Sequence, residues 1–211
     1  MRAKQPPATF SGHRVYDPVL RLLHWFNALV IVLLLLSGMV AQWVEPGALS
    51  GWLHQQHGWL GVGLVLGLIG RLVWGLVGTH HARLSDLWHP TVWIESWRSR
   101  LVFSAPQRPG HHPAASLAYL LLYGLLLALA ISGLLLLAVS QGIGPFAPWL
   151  GWHAAYAAVL TLPHQVAGYA VLAFVVLHLA ALWLHGHFHR IPVAQSMITG
   201  VQYLPPKTEP S

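Results

Sequence analysis

Histidine is the chemically most capable residue type in this chain, and five of its fifteen histidines lie inside long apolar segments: His24, His54, His57, His164 and His178. His164 and His178 share one segment and are 14 residues apart. On an α-helix that offset comes within about 40° of the same face and rises about 21 Å. Two imidazoles thus look into one bundle interior, one near each side of a membrane. If successive segments cross in alternating directions, depth pairs His24 with His178 and His57 with His164. Imidazole is a ligand for haem iron and transition metals. Two imidazoles at one level on different helices are what a bis-histidine haem needs, and bundle interiors are where such sites are built. The expected cofactors are two haem b groups. His54 lies one turn before His57 and remains an alternative to it; the spacing from His57 to Arg71 favours His57.

The same 14-residue offset leads from His24 to Gly38 and from His57 to Arg71. Gly38 is expected to face inward at the level of His57 and His164, where a missing side chain leaves room for a porphyrin. Arg71 is expected to face inward at the level of His24 and His178. A buried arginine needs an anionic partner, the apolar segments offer no Asp or Glu, and a haem propionate would serve. Arg21, on the same side, could serve another. Gly61 and Gly168 each follow a proposed ligand by one turn on the same face, and Gly133 could act similarly on the third helix. These glycines either clear a porphyrin or let helices approach closely. The third helix carries no interior histidine and is assigned a packing role.

The elements that must position these residues are four transmembrane helices, expected at about 20–44, 53–77, 114–140 and 163–184. Each exceeds the roughly 20 residues needed to cross a bilayer core, and lipid demands that backbone groups be satisfied within each segment. Only 8% of the 211 residues are charged, far fewer than in a soluble domain. Eleven tryptophans suit the membrane interface. The first segment is too long for a cleavable signal. With no cysteine, the chain has no disulfide, Fe–S cluster, thiolate zinc site or covalently attached c-type haem. Nothing in its net charge of +6 calls for nucleic acid.

Arg2, Lys4 and Arg14 precede the first crossing and Arg21 lies at its start; Arg83, Arg98, Arg100 and Arg108 lie between the second and third; Arg190 and Lys207 follow the fourth. Residues 45–52 and 141–162 have no Lys or Arg. The positive-inside rule therefore places both termini in the cytoplasm. The region 78–113 reads as an interfacial helix bearing Trp88, Trp93 and Trp97, or as an irregular loop. Residues 142–162 read as an apolar loop that lies on the periplasmic surface or meets a partner. The domain is expected over 1–190, with 191–211 a partly disordered cytoplasmic tail. His13, His80, His81, His89, His111 and His112 read as surface residues and His153 as a loop residue. His185, His187 and His189 read as interfacial anchors or a metal cluster.

Val15-Tyr16-Asp17-Pro18 followed by Arg21-Leu22-Leu23-His24-Trp25 resembles the start of the bacterial cytochrome b561 family, which includes the b-type cytochrome subunits of nickel–iron hydrogenases. His57 with Gly61 and Arg71-Leu72-Val73-Trp74 is similar to its second helix, and His164 through Gly168-Tyr169 to His178 to its fourth. Gly110-His111-His112-Pro113 resembles a motif before the third, with His112 where asparagine is usual. The resemblance covers roughly residues 14 to 190. It implies two non-covalent haems, electron exchange with quinone and often a partner protein. The chain is expected to lack a fused domain.

The function these readings favour is an electron-transfer subunit of a respiratory oxidoreductase complex, carrying electrons between a periplasmic redox protein and the quinone pool. The partner would be a hydrogenase, a c-type cytochrome or another dehydrogenase. A self-contained superoxide:quinone oxidoreductase would call for a basic periplasmic patch to steer the anion, and the periplasmic loops lack one. A histidine-based metal transporter would gather its ligands at one depth, whereas these pair at two.

Overall fold

Asp17 and Pro18 begin the first crossing. Proline suits the first helical position, where its missing N–H is not needed, and the Asp17 carboxylate accepts the Leu20 amide at 2.9 Å as a cap. In the computed structural model, which describes residues 11–88, 90–91, 93–94, 113–188 and 194–204, helix α1 spans Pro18–Ala41. It is followed by α2 (Ala48–Val77), α3 (Pro113–Gln141) and α4 (Ala154–Phe188). Among the described residues these four are long and apolar enough to cross a membrane. At most 22% of the most apolar stretch of each is buried within the protein, so the large apolar side chains of their outer faces, such as Leu22, Leu29 and Leu36, are left for lipid.

The start of α4 departs from expectation. The fourth crossing is expected from about residue 163, yet the helix begins at Ala154 and carries Pro163 inside it. Membrane helices tolerate an interior proline, which here removes only the amide that would otherwise reach the Val159 carbonyl four residues back. Most of the expected periplasmic loop 142–162 is thus helical, including a single turn at Ala147–Leu150. After α2 come two 3-10 turns, His80–Ala82 and Leu84–Leu87. Residues 90–91 and 93–94 are helical. Trp88 and Trp93 meet edge to face at 5.3 Å, and the Trp93 indole donates to Ser116. Trp97, His89, His111, His112 and His189 lie outside the described residues.

Part of the expected tail is fastened to the bundle. Strand β1 (Ser11–Arg14) pairs antiparallel with β2 (Val201–Leu204), Ser11 opposite Leu204 and Arg14 opposite Val201. Before β2, a helical turn at Ser196–Thr199 ends on Gly200, whose φ of 82° favours glycine. The Gly200 carbonyl accepts the Val15 and Tyr16 amides at 2.9 and 3.2 Å. Arg21 donates to the Ile198 carbonyl, and Trp25 donates to the Met197 carbonyl at 3.0 Å. A Cβ at Gly200 would lie 2.6 Å from the Tyr16 carbonyl oxygen. Both ends of the described chain therefore meet at one end of the bundle.

Helix α1 packs along α2 and α3 along α4, and the two hairpins meet where α2 contacts α3. At Gly67 the absent side chain admits Asn27 of α1, whose amide donates to the Gly67 carbonyl at 3.3 Å. One core cluster takes residues from all four helices: Val30, Leu64, Leu68, Leu126 and Val171. On α4, Val171 falls midway between His164 and His178. On α2, Leu64 falls midway between His57 and Arg71. The core is an apolar layer at mid-depth, with a polar level on either side of it.

Asp17 ties α1 to the end of α2. Besides capping α1, its carboxylate accepts from the Thr79 hydroxyl at 2.7 Å and from the Trp74 indole at 3.1 and 3.2 Å. Burial pushes this carboxyl up, but the hydrogen bonds from Leu20, Thr79 and Trp74 outweigh it and hold it below the usual range. A depressed carboxyl stabilises above its unfolded-state value and loses that contribution as pH falls through the folded one. Asn keeps one acceptor oxygen for the Leu20 cap, so Asp17→Asn loses only the charge and one acceptor and is expected to cost about 1 kcal/mol near neutral pH. The deficit should shrink as pH falls below about 4. Thermal unfolding in detergent across pH checks this; a deficit independent of pH would contradict it.

Candidate functional site

On one side of the apolar layer lies a cavity of about 500 Å³, lined by residues of all four helices. That volume falls within the range of cofactor pockets. His57 and His164 face each other in its wall, with ring centroids 6.2 Å apart and ring planes at 79°. Gly38, Gly61, Gly133 and Gly168 line the same cavity. A Cβ at Gly61 or Gly168 would meet no atom within 4 Å, so both open onto free space. Gly38 and Gly133 act differently from the expectation of porphyrin clearance. A Cβ there would lie 3.2 Å from Cε1 of His57 and 3.3 Å from Cε1 of His164, so these two glycines make room for the imidazoles. His54 also borders the cavity, but it is exposed and its Nδ1 pairs with the Ser50 carbonyl of its own helix at 2.7 Å.

Two serines that the sequence reading missed complete this level. Ser37 Oγ lies 3.0 Å from His57 Nδ1, and Ser132 Oγ lies 2.8 Å from His164 Nδ1. Each also donates to the carbonyl three residues back, Leu34 and Leu129, both at 3.2 Å. The arrangement repeats: Ser37-Gly38 on α1 serves His57 on α2, and Ser132-Gly133 on α3 serves His164 on α4. The available signal was this repeated Ser-Gly pair within two Leu-rich helices. Helix α3 thus does more than the packing assigned to it.

On the other side of the layer stand His24 of α1 and His178 of α4. Aromatic rings gather around them. His178 stacks on Phe174 at 6.1 Å and 7°, with Tyr119 edge-on at 6.4 Å, and His24 meets Trp25 edge-on at 5.4 Å. Arg71 is only 6% exposed and holds its guanidinium over the Tyr123 ring at 5.7 Å. Its Nη1 is buried with no hydrogen-bond partner among the described residues. Arg21 stands at this end too, engaged with Ile198, with its Nε buried and unpartnered among the described residues. His80 is exposed, as expected, whereas His81 is half-buried and faces Asp86, Nδ1 to Oδ2, at 3.6 Å.

The residues fit haem on observations independent of any relative. A metal–imidazole bond is about 2 Å long and the ring centre lies roughly 1 Å further, so two imidazoles sharing one metal have centroids about 6 Å apart, as His57 and His164 do. With Nδ1 occupied by serine, Nε2 of each is left for a ligand. The glycine-lined cavity gives a flat macrocycle space, and the orphaned Arg71 Nη1 awaits an anion.

The chain matches the prokaryotic cytochrome b561 family over residues 15–200. It is 26% identical to a probable Ni/Fe-hydrogenase B-type cytochrome subunit of Bradyrhizobium diazoefficiens, over 88% of this chain and 84% of that one. It is 28% identical to one of Rhizobium leguminosarum bv. viciae, over 88% and 87%, and 33% identical to one of Azotobacter vinelandii, over 49% and 50%. No solved structure matches the chain. Four membrane-length helices, interior histidines at two levels and a match across most of the length lead to one conclusion: this chain belongs to the prokaryotic cytochrome b561 family, a family of haem b proteins.

Proposed function

We propose that the chain is a di-haem electron carrier of a bacterial inner membrane, passing electrons between a redox enzyme on the periplasmic face and the quinone pool. The observation that carries this reading is the facing pair His57 and His164 in a glycine-lined cavity bordered by an apolar layer. Haem b supplies a one-electron couple when bound. His57 and His164 would hold one group through their Nε2 atoms, and His24 and His178 the other. Arg71 would pair a propionate at the second level. Val30, Leu64, Leu126 and Val171 keep the layer between the levels dry, and the two levels are separated by about 21 Å of helix rise, so charge can cross without a polar path for ions. The lack of Lys and Arg in residues 45–52 and 141–162 supports placing the His57–His164 end outside and both termini inside. The absence of cysteine allows single cysteines at residues 11 and 149 to report this: an impermeant maleimide should label only position 149 from the periplasm, and labelling of position 11 would reverse the orientation.

Relatives named as hydrogenase subunits support a hydrogenase as the partner. The outer end exposes Trp43, Trp149 and Trp152, which suit the headgroup level and a docked enzyme alike. The proposal is tested by reduction of the purified protein with a short-chain quinol: both haems should become reduced, and a protein whose haems ignore quinol would not be the carrier described. Arg71→Leu is expected to leave the His57–His164 haem in place, while the other loses occupancy and its midpoint potential falls. A neighbouring cation favours the reduced, less positive haem. An unchanged potential in that variant would remove Arg71 from the site.

A further inference from the structure

The serines carry the geometry a step further. We propose that Ser37 and Ser132 are positioning residues for the haem at His57 and His164: they fix both imidazoles as Nδ1–H tautomers and hold their planes near perpendicular. This rests on the four-histidine reading above. A hydroxyl has one hydrogen to give. Ser37 gives it to the Leu34 carbonyl and Ser132 to the Leu129 carbonyl, so toward histidine each oxygen must accept. Nδ1 of each ring therefore carries the proton, and Nε2 keeps its lone pair for a metal.

Each ring is held at two points. Nδ1 is fixed by the serine oxygen, and the Cε1 edge lies against the next residue, Gly38 or Gly133, so closely that a Cβ there would sit 3.2 or 3.3 Å from it and displace the ring. Turning either ring about its Cβ–Cγ bond would break the hydrogen bond and press the ring into the neighbouring helix. The two planes are consequently held at 79° to each other. Parallel imidazoles donate π density to the same iron d orbital, and perpendicular ones to two different orbitals. Perpendicular planes leave those orbitals nearly equal in energy, which gives a ferric haem an electron paramagnetic resonance signal dominated by one feature at unusually large g.

The His24–His178 level is built otherwise. Phe174 and Tyr119 flank His178 and Trp25 meets His24, and among the described residues no serine fixes either ring. The two haems should therefore differ in spectrum and in potential, with the serine-held one carrying the large-g feature.

The test is resonance spectroscopy and redox titration of the oxidised full chain, beside Ser37→Ala, Ser132→Ala, their double variant and Ser37→Thr. The large-g feature is expected to disappear in His57→Ala and persist in His178→Ala. The serine-to-alanine variants should keep two haems per chain. In them the feature should move to lower g and that haem's potential should rise, because an Nδ1–H without an acceptor makes a less basic ligand. The other haem should not change, and Ser37→Thr, which keeps the hydroxyl, should behave as the parent. An unchanged feature in the double variant, or a large-g feature lost with His178, would overturn the proposal. If Ser37→Ala sheds the haem, retention by Ser37→Thr supports the hydroxyl's role and loss in both overturns it. Failure of the four-histidine reading would show separately, as a parent protein without two haems.

Discussion

His57→Ala and His164→Ala are each expected to lower the haem content of the purified protein to about half, removing the same haem in both cases. His24→Ala and His178→Ala should remove the other. The expectation follows from depth and geometry together. His57 and His164 face each other 6.2 Å apart in one cavity, while His24 and His178 lie beyond the apolar layer of Val30, Leu64, Leu68, Leu126 and Val171. Each haem would be held by both histidines of its pair, so either substitution within a pair should weaken the same haem and leave the other in place. Haem assay with redox difference spectra of the four variants decides this. If His57→Ala and His178→Ala lost the same haem, the pairing would be wrong. If His54→Ala lost a haem and His57→Ala did not, the ligand on α2 would be His54.

Gly168→Leu is the second large effect, and it separates a cofactor site from a packing defect. Gly168 opens onto the cavity with no atom within 4 Å of an added Cβ. Were the space merely an unfilled void, new apolar atoms would stabilise the fold by about 0.8 kcal/mol per buried methylene, with no effect on cofactor. A macrocycle in that space cannot share it with a leucine. Gly168→Leu is therefore expected to fold, to keep the His24–His178 haem and to lose at least about tenfold in occupancy of the other, a cost of some 1.4 kcal/mol or more. Gly61→Leu should act in the same direction. A thermally stabilised variant with both haems would mean that the cavity holds something else.

The crossings and the histidine levels were legible because lipid imposes simple rules. A helix must be long and apolar to span, and a 14-residue spacing fixes both face and depth. What stayed hidden depends on which helices touch. In a membrane helix a serine commonly bonds a carbonyl of the preceding turn, and Ser37 and Ser132 do so; their second bond, to histidine on the neighbouring helix, exists only once α1 lies on α2 and α3 on α4. The roles of Gly38 and Gly133 likewise follow from where an imidazole comes to rest. The docking of residues 196–204 escaped notice because it runs largely through backbone groups, with the Gly200 carbonyl accepting from Val15 and Tyr16, and backbone carbonyls leave no trace in residue type. The start of α4 lies before the expected position of about 163, because a membrane helix continues through an interior proline.

The central claim is that this chain holds two b-type haems, each between two histidines. Its most direct test is the ratio of haem to polypeptide in the purified protein, by pyridine haemochrome assay against amino-acid analysis. The account predicts two haems b per chain, both low-spin. A well-folded preparation with one haem or none would contradict it.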